Sequence, residues 1–391
     1  MVISVLYQYF RGVCMRSYAG VLAALALISA LTSAYLHYPG APAPLPGLGY
    51  SDVVYGVFSV RFNPGDPSLW LREGVLEELR GGRRVCPAPY IDYRFEYPPV
   101  IALLFYTSTC AAILAVFPNA YPPEDYRDLI AVAERIHYAI QALALITSYT
   151  VMLAAAYLVA RSLNVDPWRL LLIPILPSTI VYTVYNWDVV AAAFLITGVY
   201  LYLKGRYGLA GVALGLSVAT KLLTVVAGVA LALRLLGVGD RRGFTAYMLA
   251  FSLFSAAPYA LAYILSPQGF MEFVDHHASW YCENCIYMIL DPDIWSSTHK
   301  ILGASAVAAA STAILTATLL KPQARLQEVL FASTAAPIIF NYVFTPQMTL
   351  MITPVAILAL SPRALAAYTL ADTANALIII SFFQELGAGG N

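Results

Sequence analysis

Six short stretches carry the polar groups of an otherwise apolar chain. In YSDVVYG, residues 50–56, the carboxylate of Asp52 stands between Tyr50 and Tyr55, just past the first long apolar segment. Its bland role is to be solvated, or to cap a short interfacial helix starting at Ser51 or Asp52. FEYPPV, residues 95–100, sets Arg94, Glu96 and Tyr97 against a Pro-Pro pair that fixes an extended backbone and frees a helix N-terminus. VYNWDVV, residues 184–190, puts Asn186 and Asp188 at a turn between two apolar helices, where Asp188 reads most simply as an N-cap.

Lys221 is the only basic residue between Gly211 and Gly228. An ammonium at membrane depth is costly, so it faces a polar cavity or an anion unless it snorkels to the interface. Pro346-Gln347 starts a helix whose free N–H groups and Gln347 amide face the same side. The segment 266–298 interleaves His276, His277, Trp280, Tyr281, Glu283 and Tyr287. That mixture suits sugar or phosphate contacts, and it is also ordinary in an interfacial loop where Trp and Tyr collect.

The elements that must position these groups are membrane helices. Of the 391 residues 60% are hydrophobic and 11% charged, against roughly 25% charged in a soluble chain. Such a chain cannot solvate its own surface, so its solvent is largely lipid. The formal net charge of +0 gives no hint of a nucleic-acid partner.

The apolar runs predict eleven spans in a single membrane domain, residues 1–391: 17–37, 130–160, 168–186, 188–203, 207–220, 222–236, 244–265, 299–320, 328–344, 346–360 and 364–383. The first, preceded by Arg11 and Arg16, reads as a retained anchor rather than a cleaved signal. Arg and Lys gather at Arg161–Arg169, Lys204–Arg206, Arg234–Arg242, Lys321–Arg325 and Arg363. The positive-inside tendency makes these loops and the N-terminus cytoplasmic. The six polar stretches then share the opposite, extracytoplasmic face of a multi-pass plasma-membrane protein.

Parity requires that the apolar stretch 98–117 not cross. It becomes a juxtamembrane helix within a first outer loop, 38–129, and 266–298 becomes a second outer loop. In the alternative, 98–117 spans and the loop at Arg161–Arg169 breaks the charge rule. The runs 207–220 and 222–236, about 14–15 residues each, fall short of the roughly 17 needed for a clean span. A short pair meeting at Lys221 leaves a recess, which is tolerated only where it lines a cavity.

Five cysteines do not make a disulfide scaffold. Cys14 and Cys110 read as small hydrophobes, and Cys86 lies in a polar loop. The Cys282–Cys285 pair reads as a local disulfide, as two free thiols or, with His276 and His277 nearby, as part of a metal site.

The order of these pieces resembles the GT-C membrane glycosyltransferases: an acid after helix one, Y-P-P-V, an N-x-D turn, a glycine-rich segment ending in Lys221, and T-P-Q near the end. It looks most like glycosyltransferase family 87, which includes mannosyltransferases using polyprenyl-phosphate-linked mannose. The strongest pieces are residues 50–55, 96–100, 215–221 and 345–347, and Glu96 departs from the residue many relatives carry.

The resemblance implies an all-α GT-C fold, a polyprenyl-phosphate-sugar donor among membrane lipids, and a lipid or glycan acceptor. It implies Asp52 as general base in a single inverting displacement. Lys221, His276, His277, Arg94 and Gln347 would then meet the donor phosphate. Tyr50, Tyr55, Glu96, Tyr97, Asn186, Asp188 and Trp280 would contact sugar or acceptor. This chemistry requires no cofactor, although Asp52 and Glu96 are placed to hold a divalent cation. A transporter or lipid flippase is the rival reading, since short helices and a buried lysine also suit one, but no repeat symmetry is visible.

Overall fold

A computed structural model describes residues 2–63, 70–81, 86–117 and 123–388; the side chains of Arg11, Cys14 and Arg16 lie outside the described ones. The protein is an all-helical integral membrane protein with no named strand among the described residues.

After α1 (Val2–Leu36) the chain forms a π-helical turn, Asp52–Phe58, that runs into α2 (Ser59–Phe62), followed by α3 (Val75–Arg80) and α4 (Pro99–Val116). Next come α5 (Tyr126–Ser162), two short pieces α6 (Leu172–Ile175) and α7 (Pro177–Tyr182), then α8 (Asp188–Leu203), α9 (Tyr207–Thr220) and α10 (Val225–Gly237). α11 (Arg241–Leu265), α12 (Pro267–Ser279), α13 (Ser297–Leu320), α14 (Leu326–Ile339), α15 (Thr349–Ala359) and α16 (Pro362–Ala388) complete the chain. Among the described residues six helices are long and apolar enough to cross a membrane, α4 included, and five apolar helices are shorter.

α5 sets the frame. Its 37 residues reach about 55 Å at 1.5 Å per residue, nearly twice a hydrocarbon core of about 30 Å. α1 lies along its C-terminal half and continues past its midpoint: Tyr18 stacks on Tyr157, and the Tyr138 hydroxyl donates to the Ala34 carbonyl. α4 runs antiparallel to the other half, with Gln141 Nε2 donating to Leu104 O at 3.2 Å and Ser108 Oγ 3.0 Å from His137 Nδ1. α4 thus begins near the level where α1 ends and continues past it.

The expected span 168–186 is not one helix. Pro174 and Pro177 remove amide donors and divide it into a 3₁₀ turn (Pro167–Leu171), α6 and α7. The run 328–344 likewise ends early, at Ile339. The segment 266–298 contains a helix that the reading as a polar loop missed. Pro267 occupies the first helical position of α12, and the Ser266 hydroxyl accepts from the Gly269 amide at 3.2 Å.

The glycine-rich run has a packing reason. A Cβ on Gly215 would lie 2.9 Å from both Phe251 O and Ser255 N, so the glycines let α9 lie directly on the backbone of α11. α9 in turn packs on α8, where Ser217 Oγ donates to Ala191 O at 2.8 Å. These contacts fix the height at which α9 ends and Lys221 emerges. At the opposite end the basic residues tie helix ends together: Arg169 donates to Leu360 O, and Arg234 Nη1 donates to Ala324 O at 2.6 Å.

Cys110 is not a free hydrophobe. It is bonded to Cys86. Cys282 is bonded to Cys285.

Candidate active site

Ser51, not Asp52, caps the π-helical turn: its hydroxyl accepts from the Val54 amide at 3.4 Å. That leaves the Asp52 carboxylate free of the helix it begins. The end of α1 holds the α7–α8 turn, since His37 Nε2 donates to Val181 O at 2.6 Å and the Val184 amide donates to Ser33 Oγ at 3.0 Å. The turn in turn holds Asp52. The Asp52 amide donates to Tyr185 O at 3.1 Å, and Asn186 Nδ2 donates to the carboxylate. The hydroxyls of Tyr97 and Tyr50 also hydrogen-bond it.

All three side-chain partners of Asp52 are neutral. Asp52 is partly exposed as a residue, but its carboxyl group sits deep in protein. Burial pushes its pKa up to about 7, against the pull of Asn186 and Tyr97 and with help from the charges of Glu283 and Glu96. A carboxylate poised near neutrality, held by neutral donors, can take a proton.

The other acids are tied elsewhere. Glu96 faces Arg61, whose guanidinium is fully buried, bonds Arg94 O and Val57 O, and lies 4.5 Å from the Trp70 ring centroid. The pair that was placed to hold a divalent cation, Asp52 with Glu96, thus has one member engaged by an arginine. Asp92 accepts from the Ala88 amide at 2.7 Å. Asp188 does not cap α8 with its side chain; its Oδ1 lies 2.9 Å from Lys221 Nζ.

Lys221 does not snorkel away. It stays on Asp188 and lies close enough to Glu283 and His277 to act on their charge. Trp280 donates its indole N–H to Glu283 Oε2 at 2.9 Å and packs on His276, with ring centroids 4.6 Å apart. Burial holds the pKa of His276 down at about 4 and also lowers that of His277, so both rings are neutral at physiological pH. Tyr50 stacks on Tyr55, and Tyr97 packs edge-on against Trp187 at 4.6 Å.

Gln347 is buried in the 3₁₀ turn Pro346–Met348. That turn neighbours the Glu283 loop, because the Phe344 amide donates to Glu283 O at 2.8 Å. Arg94 is turned away from Asp52, with an exposed side chain 3.9 Å from Glu272.

The structure therefore brings Asp52, Tyr50, Tyr97 and Asn186 into direct contact. Asp188 and Lys221 form a second pair, and His277, Trp280 and Glu283 line the side facing Lys221. Sequence reading missed Arg61 and gave Glu283 no role. A lone arginine in the apolar run VFSVRF was the available signal for Arg61. Glu283 showed only as one polar residue among several.

No protein-family model matches the chain, and no curated protein matches it. Among solved structures it is similar to ArnT from Cupriavidus metallidurans. The ArnT crystal structure bound to undecaprenyl phosphate superposes with a TM-score of 0.50 at 15% identity, covering 90% of this chain and 62% of that one. The apo ArnT structure gives a TM-score of 0.51 at 14% identity, with the same coverage. The chain spans less than two thirds of the length of these structures. The likeness places it in the GT-C fold class.

Proposed function

We propose that the protein is a membrane glycosyltransferase that moves one sugar from a polyprenyl-phosphate donor to an acceptor hydroxyl, on the extracytoplasmic face of the plasma membrane. The observation that carries this is Asp52: a desolvated carboxylate, held by neutral donors, at the ends of helices too short to reach across. A fold shared with a protein that binds undecaprenyl phosphate supports a lipid-phosphate donor. The resemblance to family 87 makes mannose the first sugar to try.

Asp52 takes the proton of the acceptor hydroxyl as that oxygen attacks the anomeric carbon. The bond from that carbon to the phosphate oxygen breaks on the opposite face, and its electron pair leaves with the polyprenyl phosphate. One displacement inverts the anomeric centre. The leaving phosphate needs charge stabilisation more than a proton. Lys221 supplies a point charge, and the amides of the Pro346–Met348 turn supply donors. The neutral His276 and His277 act as hydrogen-bonding groups, and the donor's apolar tail stays in lipid.

The test is transfer of radiolabel from mannosyl- or glucosyl-phosphoryl-polyprenol to a host lipid extract, by purified protein in lipid. Transfer with inversion supports the reading. Lipid movement without transfer would replace it with the flippase.

The pH profile follows from Asp52. The base must be ionised, so kcat/KM is expected to fall about tenfold per unit as pH drops below about 7. Glu283→Gln removes a like charge, lowers the Asp52 pKa and moves this acid limb to lower pH. Asn186→Ala removes a donor to the carboxylate and moves it higher. An unshifted limb in both variants would assign it to another group.

Gly56 leaves the space this arrangement needs. A Cβ there would lie 2.8 Å from the Tyr50 hydroxyl and 3.1 Å from Asp52 Oδ1. Gly56→Ala is expected to displace both groups and to cost about ten- to a hundredfold in kcat, with expression and solubility unchanged.

A further inference from the structure

We propose that Cys282, Cys285 and His299 form a metal site that takes one zinc ion when the two cysteines are thiols. The three side chains are 2%, 6% and 0% exposed, and one ligand atom from each lies within 4.8 Å of the others. None of them belongs to the candidate active site.

The imidazole carries the argument. His299 Nε2 lies 2.8 Å from the Asp291 carbonyl oxygen. A carbonyl only accepts, so Nε2 carries the proton. Nδ1 is then the nitrogen left with a lone pair. It is buried and has no hydrogen-bond partner among the described residues. A buried acceptor without a partner is destabilising. Here it lies beside two sulfurs instead of a donor. A histidine whose far nitrogen donates to a backbone carbonyl is the usual orientation of a metal ligand. Two thiolates and one imidazole are a zinc donor set, with water as fourth ligand.

In the structure the sulfurs are bonded to each other. A dithiol reductant converts that bond into two thiols and is itself oxidised to a disulfide. Zinc then displaces the two thiol protons and binds the thiolates and Nδ1. Both states tie the same loop down. Glu283 stands between the cysteines in sequence, and the loop pairs with the strand-like segment at Val343. The disulfide and the metal are thus alternative clamps on the loop that presents Glu283 and Trp280 to Lys221.

The test uses the full chain in detergent, reduced with dithiothreitol, freed of it without oxygen, and titrated with zinc chloride against a chromophoric chelator. One zinc per chain is expected. Cys282→Ser with Cys285→Ser should abolish uptake, and Cys86→Ser with Cys110→Ser should leave it unchanged. His299→Ala and His299→Gln should each weaken binding about tenfold or more, and gel filtration shows which of the two stays monodisperse. Absence of stoichiometric uptake by the reduced wild type would overturn the proposal. So would unchanged affinity in a monodisperse His299 variant, or loss of uptake with the Cys86 and Cys110 changes.

Discussion

Asp52→Asn is expected to lower kcat for sugar transfer by roughly 10²–10⁴-fold, the range a positioned general base supplies. Asparagine keeps the shape of the side chain and can still accept from Tyr97 or Asn186, so the fold and donor binding should survive. The loss should therefore lie in kcat rather than KM. The acid limb near pH 7 should vanish from whatever activity remains, because the group that produced it is gone. Transfer at the wild-type rate would move the base elsewhere. The structure ranks the replacements: Glu96 is engaged by Arg61 and Asp92 by the Ala88 amide, which leaves Glu283 as the next carboxylate to change.

Lys221→Met should have the second largest effect, about 10²–10³-fold in kcat, the scale of losing one preorganised stabiliser of developing negative charge. The single variant also strands Asp188, which is 2% exposed. Breaking a buried ion pair by removing one partner costs about 3–5 kcal/mol, and the 20% exposure of Lys221 moves this case toward the lower figure. The informative protein is therefore Lys221→Met with Asp188→Asn, which removes both charges. It should recover the thermal stability that the single variant loses and stay as inactive. A stable, fully active double variant would show that the pair serves packing alone and that the phosphate is met by other groups. Asp188→Asn by itself frees the ammonium and should bind the donor at least as tightly as wild type.

The two experiments separate two kinds of polar residue that look alike in a string of letters. Asp52 and Asp188 each follow an apolar helix or turn, and each suits a helix start. Only the packing shows that Ser51 does the capping for one, and that Lys221 neutralises the other.

The membrane class, the two short helices meeting at Lys221 and the gathering of basic residues at one end were all legible in the sequence. Each is local: hydropathy, proline position and charge act over a few residues, and lipid enforces them directly. The division of 168–186 at its prolines was equally local and was passed over because its hydropathy stayed high. The helix at Pro267 was passed over because its residues are polar.

What only the tertiary structure decided is which acid is free. Asp52 meets Asn186 across 134 residues of sequence, and Arg61 meets Glu96 across 35. The partner that neutralises a carboxylate, or leaves it to titrate near neutrality, arrives from a different helix. Its arrival depends on how deeply α9 settles on α11 and where the end of α1 holds the α7–α8 turn. Charge state in a desolvated site is set by neighbours in space, and a sequence orders neighbours only along the chain.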